Sequence, residues 1–189
     1  MDRSLEKSLL ATVETLELLQ LKYAVVGGLA VSAWTRPRST RDVDLYAEIP
    51  QGFEVELQRG LEDRGFDVPA LSEELQQYGV FRSKHRASGI FLDIFSATGP
   101  LGEAILEHRR KIVLDSYELW LISAENLILL KAFSDRPRNF EDLVLLYGNR
   151  PALDQPYIDH WSRMLDESIG TTEVAERIQQ ARTRVASAK

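Results

Sequence analysis

The sequence predicts an α+β protein: a mixed sheet with flanking helices, followed by a C-terminal helical part. Three observations carry this. Between Tyr23 and Leu121, short apolar or alternating runs are punctuated by Gly, Pro and Ser, the pattern of strands and turns. Segments of helical period are interleaved with these runs. After Leu121 the strand-like runs stop and only helical spacing remains. The 189 residues suffice for a domain with its own core plus a helical appendage, divided near residue 122 into 1–122 and 123–189.

In chain order, Leu5, Leu9, Leu10, Val13, Leu16, Leu19 and Leu21 recur at helical spacing and predict a helix over 3–22. Tyr23 to Val26 is a short apolar strand ended by Gly27-Gly28. Leu29 to Trp34 reads as a helix that stops before Arg36-Pro37, because the residue before Pro avoids the α region. Arg41 to Tyr46 alternates with period two and reads as a strand with Val43 and Leu45 toward the core. A helix over Gly52 to Arg64 is closed by Gly65. Strands follow at Gln77–Lys84 and Ile90–Ser96, joined through Ser88-Gly89. Pro100 to Arg109 is a helix with Pro in its first turn. Lys111–Leu114 and Glu118–Leu121 are two short strands. Ser123 is placed to cap a helix running to about Phe133. Further helices are predicted over Asn139–Tyr147, ended by Gly148, then Gln155–Ser168 and Thr172 to about Val185.

Composition excludes several classes. Hydrophobic residues make up 44%, an ordinary globular share. The absence of Cys rules out disulfides and thiolate metal sites. No apolar run is long enough to span a membrane, and Met1-Asp2-Arg3-Ser4 lacks a signal-peptide pattern. The expectation is a cytoplasmic protein with no membrane partner. A net charge of -6 argues against nonspecific coating of DNA. A large RNA acceptor would need Arg36, Arg38, Arg41, Arg82, Lys84 and Arg86 to form one patch.

Chemistry concentrates at Asp42 and Asp44. Carboxylates at i and i+2 of a strand share a face, where like charges repel unless a cation sits between them. A Gly pair after an apolar strand, here Gly27-Gly28, lets a phosphate approach the backbone. Asp93 lies inside the apolar run Ile90-Phe91-Leu92-Asp93-Ile94-Phe95, where a charge is costly without a partner. On a strand beside Asp42 and Asp44 it would complete a three-carboxylate site for a hard cation such as Mg²⁺ or Mn²⁺. Arg38 and Arg41 flank the acidic pair and either ion-pair with it or contact a ligand. Lys131, set among Leu127 to Leu130, is either part of a polar helix face or a counter-charge for a triphosphate. His85, His108 and His160 show no ligand spacing, and Trp34, Trp120 and Trp161 read as core or interface residues.

Apolar strand, Gly-Gly, helix, Asp-x-Asp and a later third Asp together resemble the nucleotidyltransferase superfamily, the fold of DNA polymerase beta. The matching residues are Gly27, Gly28, Asp42, Asp44 and Asp93. The resemblance extends to AbiEii-type bacterial proteins, which show Gly-Gly-x-Ala and then Arg-x-Thr-x-Asp-x-Asp. This chain has Gly27-Gly28-Leu29-Ala30 and Arg38-Ser39-Thr40-Arg41-Asp42-Val43-Asp44. It continues with Glu125-Asn126-Leu127-Ile128-Leu129-Leu130-Lys131, Arg136 and Asn139-Phe140-Glu141-Asp142. Two departures are the second Gly, where classical transferases have Ser, and Asn139, where the group often has Asp. The match covers about residues 20–148.

The resemblance implies transfer of a nucleoside monophosphate from an NTP to an acceptor, tRNA or protein. Asp42, Asp44 and Asp93 would be metal ligands and catalytic groups. Gly27, Gly28, Arg38, Thr40 and Lys131 would contact the nucleotide. It further implies the toxin half of a toxin–antitoxin or phage-defence pair, with an antitoxin partner. Two alternatives stand beside it: a catalytically quiet nucleotide-binding or interaction module, and a small-molecule transferase that modifies antibiotics.

Overall fold

Asp2 opens the first helix, its carboxylate accepting from the N–H of Ser4 at 2.8 Å, and α1 runs Arg3–Leu18. It ends earlier than predicted, because Gln20 adopts a left-handed conformation with φ 56°. In this computed structural model, residues 2–68, 79–114, 117–149 and 152–188 are described. They form eight helices and a seven-stranded sheet. The chain divides into two compact units, Met1–Leu29 with Arg38–Ile122, and Ala30–Pro37 with Ser123–Lys189.

In the first unit, β1 (Tyr23–Val25) leads into α2 (Gly27–Trp34), whose first residues belong here. There follow β2 (Asp42–Ala47), α3 (Glu54–Asp63), β3 (Phe66–Asp67), β4 (Val80–His85), β5 (Phe91–Ser96), α4 (Gly99–Glu107), β6 (Arg110–Leu114) and β7 (Tyr117–Leu121). The sheet order is β3-β4-β5-β2-β1-β7-β6. β2 is parallel to β5 and antiparallel to β1, while β1 is parallel to β7, so the sheet is mixed as predicted. Val43, Leu45, Phe81, Leu92 and Ile94 are fully buried, and α1 and α4 contact β2. Gly60 of α3 lets α1 approach, since a Cβ there would meet Thr15 Cγ2 at 2.7 Å.

Two differences have physical reasons. β3 is only two residues long, too short to show a period in the sequence. Helix α2 begins at Gly27 rather than Leu29, because the turn and the first helical residue coincide. Gln77 and Tyr78, at the start of a predicted strand, lie outside the described residues.

The second unit is helical: α5 (Ala124–Phe133), α6 (Pro137–Asn149), α7 (Gln155–Ile169) and α8 (Glu173–Ser187), with the rest of α2. Ser123 caps α5 as expected, its hydroxyl accepting from Asn126 N–H at 3.2 Å. Asp166 ties α7 to α8 by accepting from the N–H groups of Val174 and Ala175 at 2.9 and 3.0 Å. Gly148 was predicted to stop α6 but lies inside it. A glycine ends a helix when it turns left-handed; Gly170, with φ 69°, does so after α7.

Candidate functional site

Burial alternates along β2, so Val43 and Leu45 face the core and Asp42 and Asp44 turn together to the other side. Parallel pairing with β5 sets Asp44 beside Asp93 and Asp42 beside Phe91. Residues in register on neighbouring strands share a face, so the three predicted carboxylates are brought to one face.

The β1–α2 turn comes to the same place. The N–H of Val26 donates to the carbonyl of Asp44 at 2.9 Å. Gly27 has φ +62°, and a Cβ there would fall 1.9 Å from Oδ2 of Asp44. The Asp44 carboxylate therefore rests directly on the glycine backbone. A Cβ on Gly28 would fall 2.6 Å from Thr40 Oγ1 and 3.2 Å from Arg38 Nη2. Gly27, Gly28, Arg38, Thr40 and Asp44 thus form one cluster. Gly27→Ala should disturb it twice, through the left-handed backbone and by pushing Asp44 away. Backbone strain alone costs about 1–2 kcal/mol. Thermal unfolding should show the loss, and an unchanged midpoint would mean that the turn relaxes freely.

Asp93 is nearly buried, with 11% of its side chain exposed. Its partner is Arg82, which antiparallel pairing of β4 and β5 places directly opposite. Nε donates to Oδ1 at 2.7 Å and Nη2 to Oδ2 at 2.6 Å, a bidentate pair. Arg82 is held more firmly protonated than an ordinary arginine. The Asp93 hydrogen bond is the largest cause; burial opposes it, and the charges of Asp93, Asp42 and Asp44 add to it. Sequence reasoning placed Arg82 only in a basic patch. The sequence shows the turn at Ser88-Gly89 but not the pairing of His85 with Ile90, from which the register that sets Arg82 against Asp93 follows.

Arg82 and Lys84 each lie 5.3 Å from the centroid of the exposed Phe91 ring. Arg86 instead donates to the carbonyls of Phe66 and Glu62 at 2.8 and 2.9 Å and pairs with Asp67 at 3.1 Å. Arg36 belongs to the second unit. His85 Nδ1 shares a hydrogen bond with Ser88 Oγ at 2.8 Å, and His108 Nδ1 lies 2.9 Å from the Ala104 carbonyl. Both contacts are local. The rings of His160 and Trp161 meet edge to face at 5.7 Å.

Among the described residues, no group of three or more His, Asp or Glu side chains is arranged to hold a metal ion. The donors still suit a hard cation. Asp42 and Asp44 offer carboxylate oxygens on one half-exposed face. Asp93 offers the second lone pair of each oxygen, the first being held by Arg82.

Lys131 lies in the second unit, on α5. Its ammonium pairs with Asp142 at 2.9 Å and donates to Asn139 Oδ1 at 3.0 Å. Asp142 is buried, with 3% of its side chain exposed, and Lys131 is nearly so, with 12%.

No protein-family model and no curated protein matches the chain. Solved structures do. The lincosamide antibiotic adenylyltransferase LnuA, lincomycin-bound, is 19% identical with a TM-score of 0.57, covering 77% of this chain and 98% of that one. The antibiotic-resistance factor ANT(2'')-Ia in solution is 18% identical with a TM-score of 0.52, covering 100% and 94%. An antigenic nucleotidyltransferase-like protein from Paracoccidioides brasiliensis is 15% identical with a TM-score of 0.52, covering 92% of each. The chain has the nucleotidyltransferase fold.

Proposed function

We propose that the protein transfers a nucleoside monophosphate from an NTP to an acceptor, with a divalent cation, Mg²⁺ or Mn²⁺, held at Asp42 and Asp44 and completed by Asp93. The observation that carries this is the register of β2 and β5, which gathers three carboxylates on one face against the Gly27 turn. When bound, the cation would draw charge from the triphosphate and ease departure of pyrophosphate. The chain's own residues do the rest. Gly27 and Gly28 present side-chain-free backbone at the start of α2, where phosphate oxygens are favoured. Thr40 and Arg38, against Gly28, donate hydrogen bonds to those oxygens. Asp93 accepts the acceptor's proton as its oxygen bonds to the α-phosphorus, and the bond to the β-phosphate breaks. The Lys131–Asp142 pair supports a framework role for Lys131 over the counter-charge role that the resemblance implies.

The AbiEii-like spacing of Arg38 to Asp44 supports tRNA or a protein as acceptor, and an antitoxin as partner. Antibiotics remain a separate arm of the test, since LnuA and ANT(2'')-Ia share the fold at below 20% identity. Each NTP, labelled at the α- or the γ-phosphate, is incubated with Mg²⁺ and either total RNA, lysate protein or an antibiotic panel. The expected result is α-label in RNA or protein, with pyrophosphate released. Transfer of γ-label, or no transfer to any acceptor, would count against the proposal.

A further inference from the structure

We propose that Arg82 is a built-in counter-cation that competes with the divalent cation for Asp93 and so sets the metal affinity of the site. This rests on the function proposed above. Arg82 donates to both oxygens of Asp93, so a metal ion that takes Asp93 meets a guanidinium charge already neutralising that carboxylate and holding one lone pair on each oxygen. The two partners differ in freedom. Asp93 is 11% exposed and fixed in a central strand, whereas the Arg82 side chain is 61% exposed and can swing. Arg82 also feels the charges of Asp42 and Asp44, the carboxylates that the cation would share. When displaced it has a second resting place, the Phe91 ring that it already touches at 5.3 Å. Arg82 is thus a positioning residue: it acts through Asp93, holding the third carboxylate in place while opposing metal entry.

The test is a Mn²⁺ titration by calorimetry without nucleotide, on wild type and on Arg82→Gln, Arg82→Lys, Lys84→Gln and Asp44→Asn. Lys84→Gln is the charge control, since Lys84 lies over the same ring and carries the same charge. Arg82→Gln should tighten Mn²⁺ binding by about tenfold or more, as a competing bidentate pair is removed. Arg82→Lys should tighten it less, because lysine cannot form the fork. Lys84→Gln should change it by less than about threefold. Without metal, Arg82→Gln should unfold at a lower temperature than wild type, and Mn²⁺ should restore the difference. Unchanged or weaker Mn²⁺ binding in both Arg82 variants, or equal tightening by Lys84→Gln, overturns the proposal. If Arg82→Gln fails to fold, Arg82→Lys decides. Loss of binding in Asp44→Asn with no effect of the Arg82 variants defeats the Arg82 proposal alone. Binding that ignores Asp44→Asn in every background removes the cation from this face and defeats the proposed function too.

Discussion

Asp44→Asn should leave the fold standing and lower nucleotidyl transfer on the order of a thousandfold. Asparagine matches aspartate in size, so it still rests on Gly27, where the carboxylate now lies. It lacks the charge that a divalent cation needs. Removing one of three clustered negative charges relieves repulsion, so the variant should unfold at the wild-type temperature or slightly above it. Mg²⁺ should raise the unfolding temperature of wild type and not that of the variant. Scanning calorimetry with and without Mg²⁺, alongside the labelled-NTP assay, reads both effects. A variant that unfolds early would mean that Asp44 is chiefly a framework residue of the turn.

The second large effect concerns stability. Lys131→Ala leaves the buried Asp142 carboxylate without its ammonium. Breaking a buried pair from one side costs on the order of 3–5 kcal/mol. Replacing both partners, as Lys131→Met with Asp142→Leu, should cost much less, because no charge stays behind. Urea unfolding of the single and double variants gives the comparison. A Lys131→Ala protein as stable as wild type, yet defective in NTP binding, would instead support the counter-charge role.

The contrast between Asp44 and Lys131 shows what a sequence of this kind discloses. The acidic face was legible because period two is a local property: Val43 and Leu45 inward forces Asp42 and Asp44 outward together. Asp93 was legible as a charge in an apolar strand that must find a partner. The identity of that partner was not, because it depends on the register of β4 against β5, which a turn sets. Lys131 and Asp142 sit on successive helices, and helical spacing says which face a residue occupies but not what meets it. Gly148 was misread for a related reason: a glycine signals a helix end only through its conformation, and Gly148 itself is not left-handed but lies within the helix. Ala30–Pro37 groups with the helical unit although β-strands flank it in sequence. Such grouping is decided by packing rather than by order along the chain.

The proposed function requires the face bearing Asp42, Asp44 and Asp93 to bind a nucleotide through a divalent cation. Calorimetric titration with α,β-methylene analogues of the four NTPs tests this most directly, because it needs no knowledge of the acceptor. Wild type should bind at least one analogue when Mg²⁺ is present and lose that binding in EDTA, and Asp42→Asn with Asp44→Asn should show none under either condition. Equal binding in EDTA, or by the double variant, would contradict the claim.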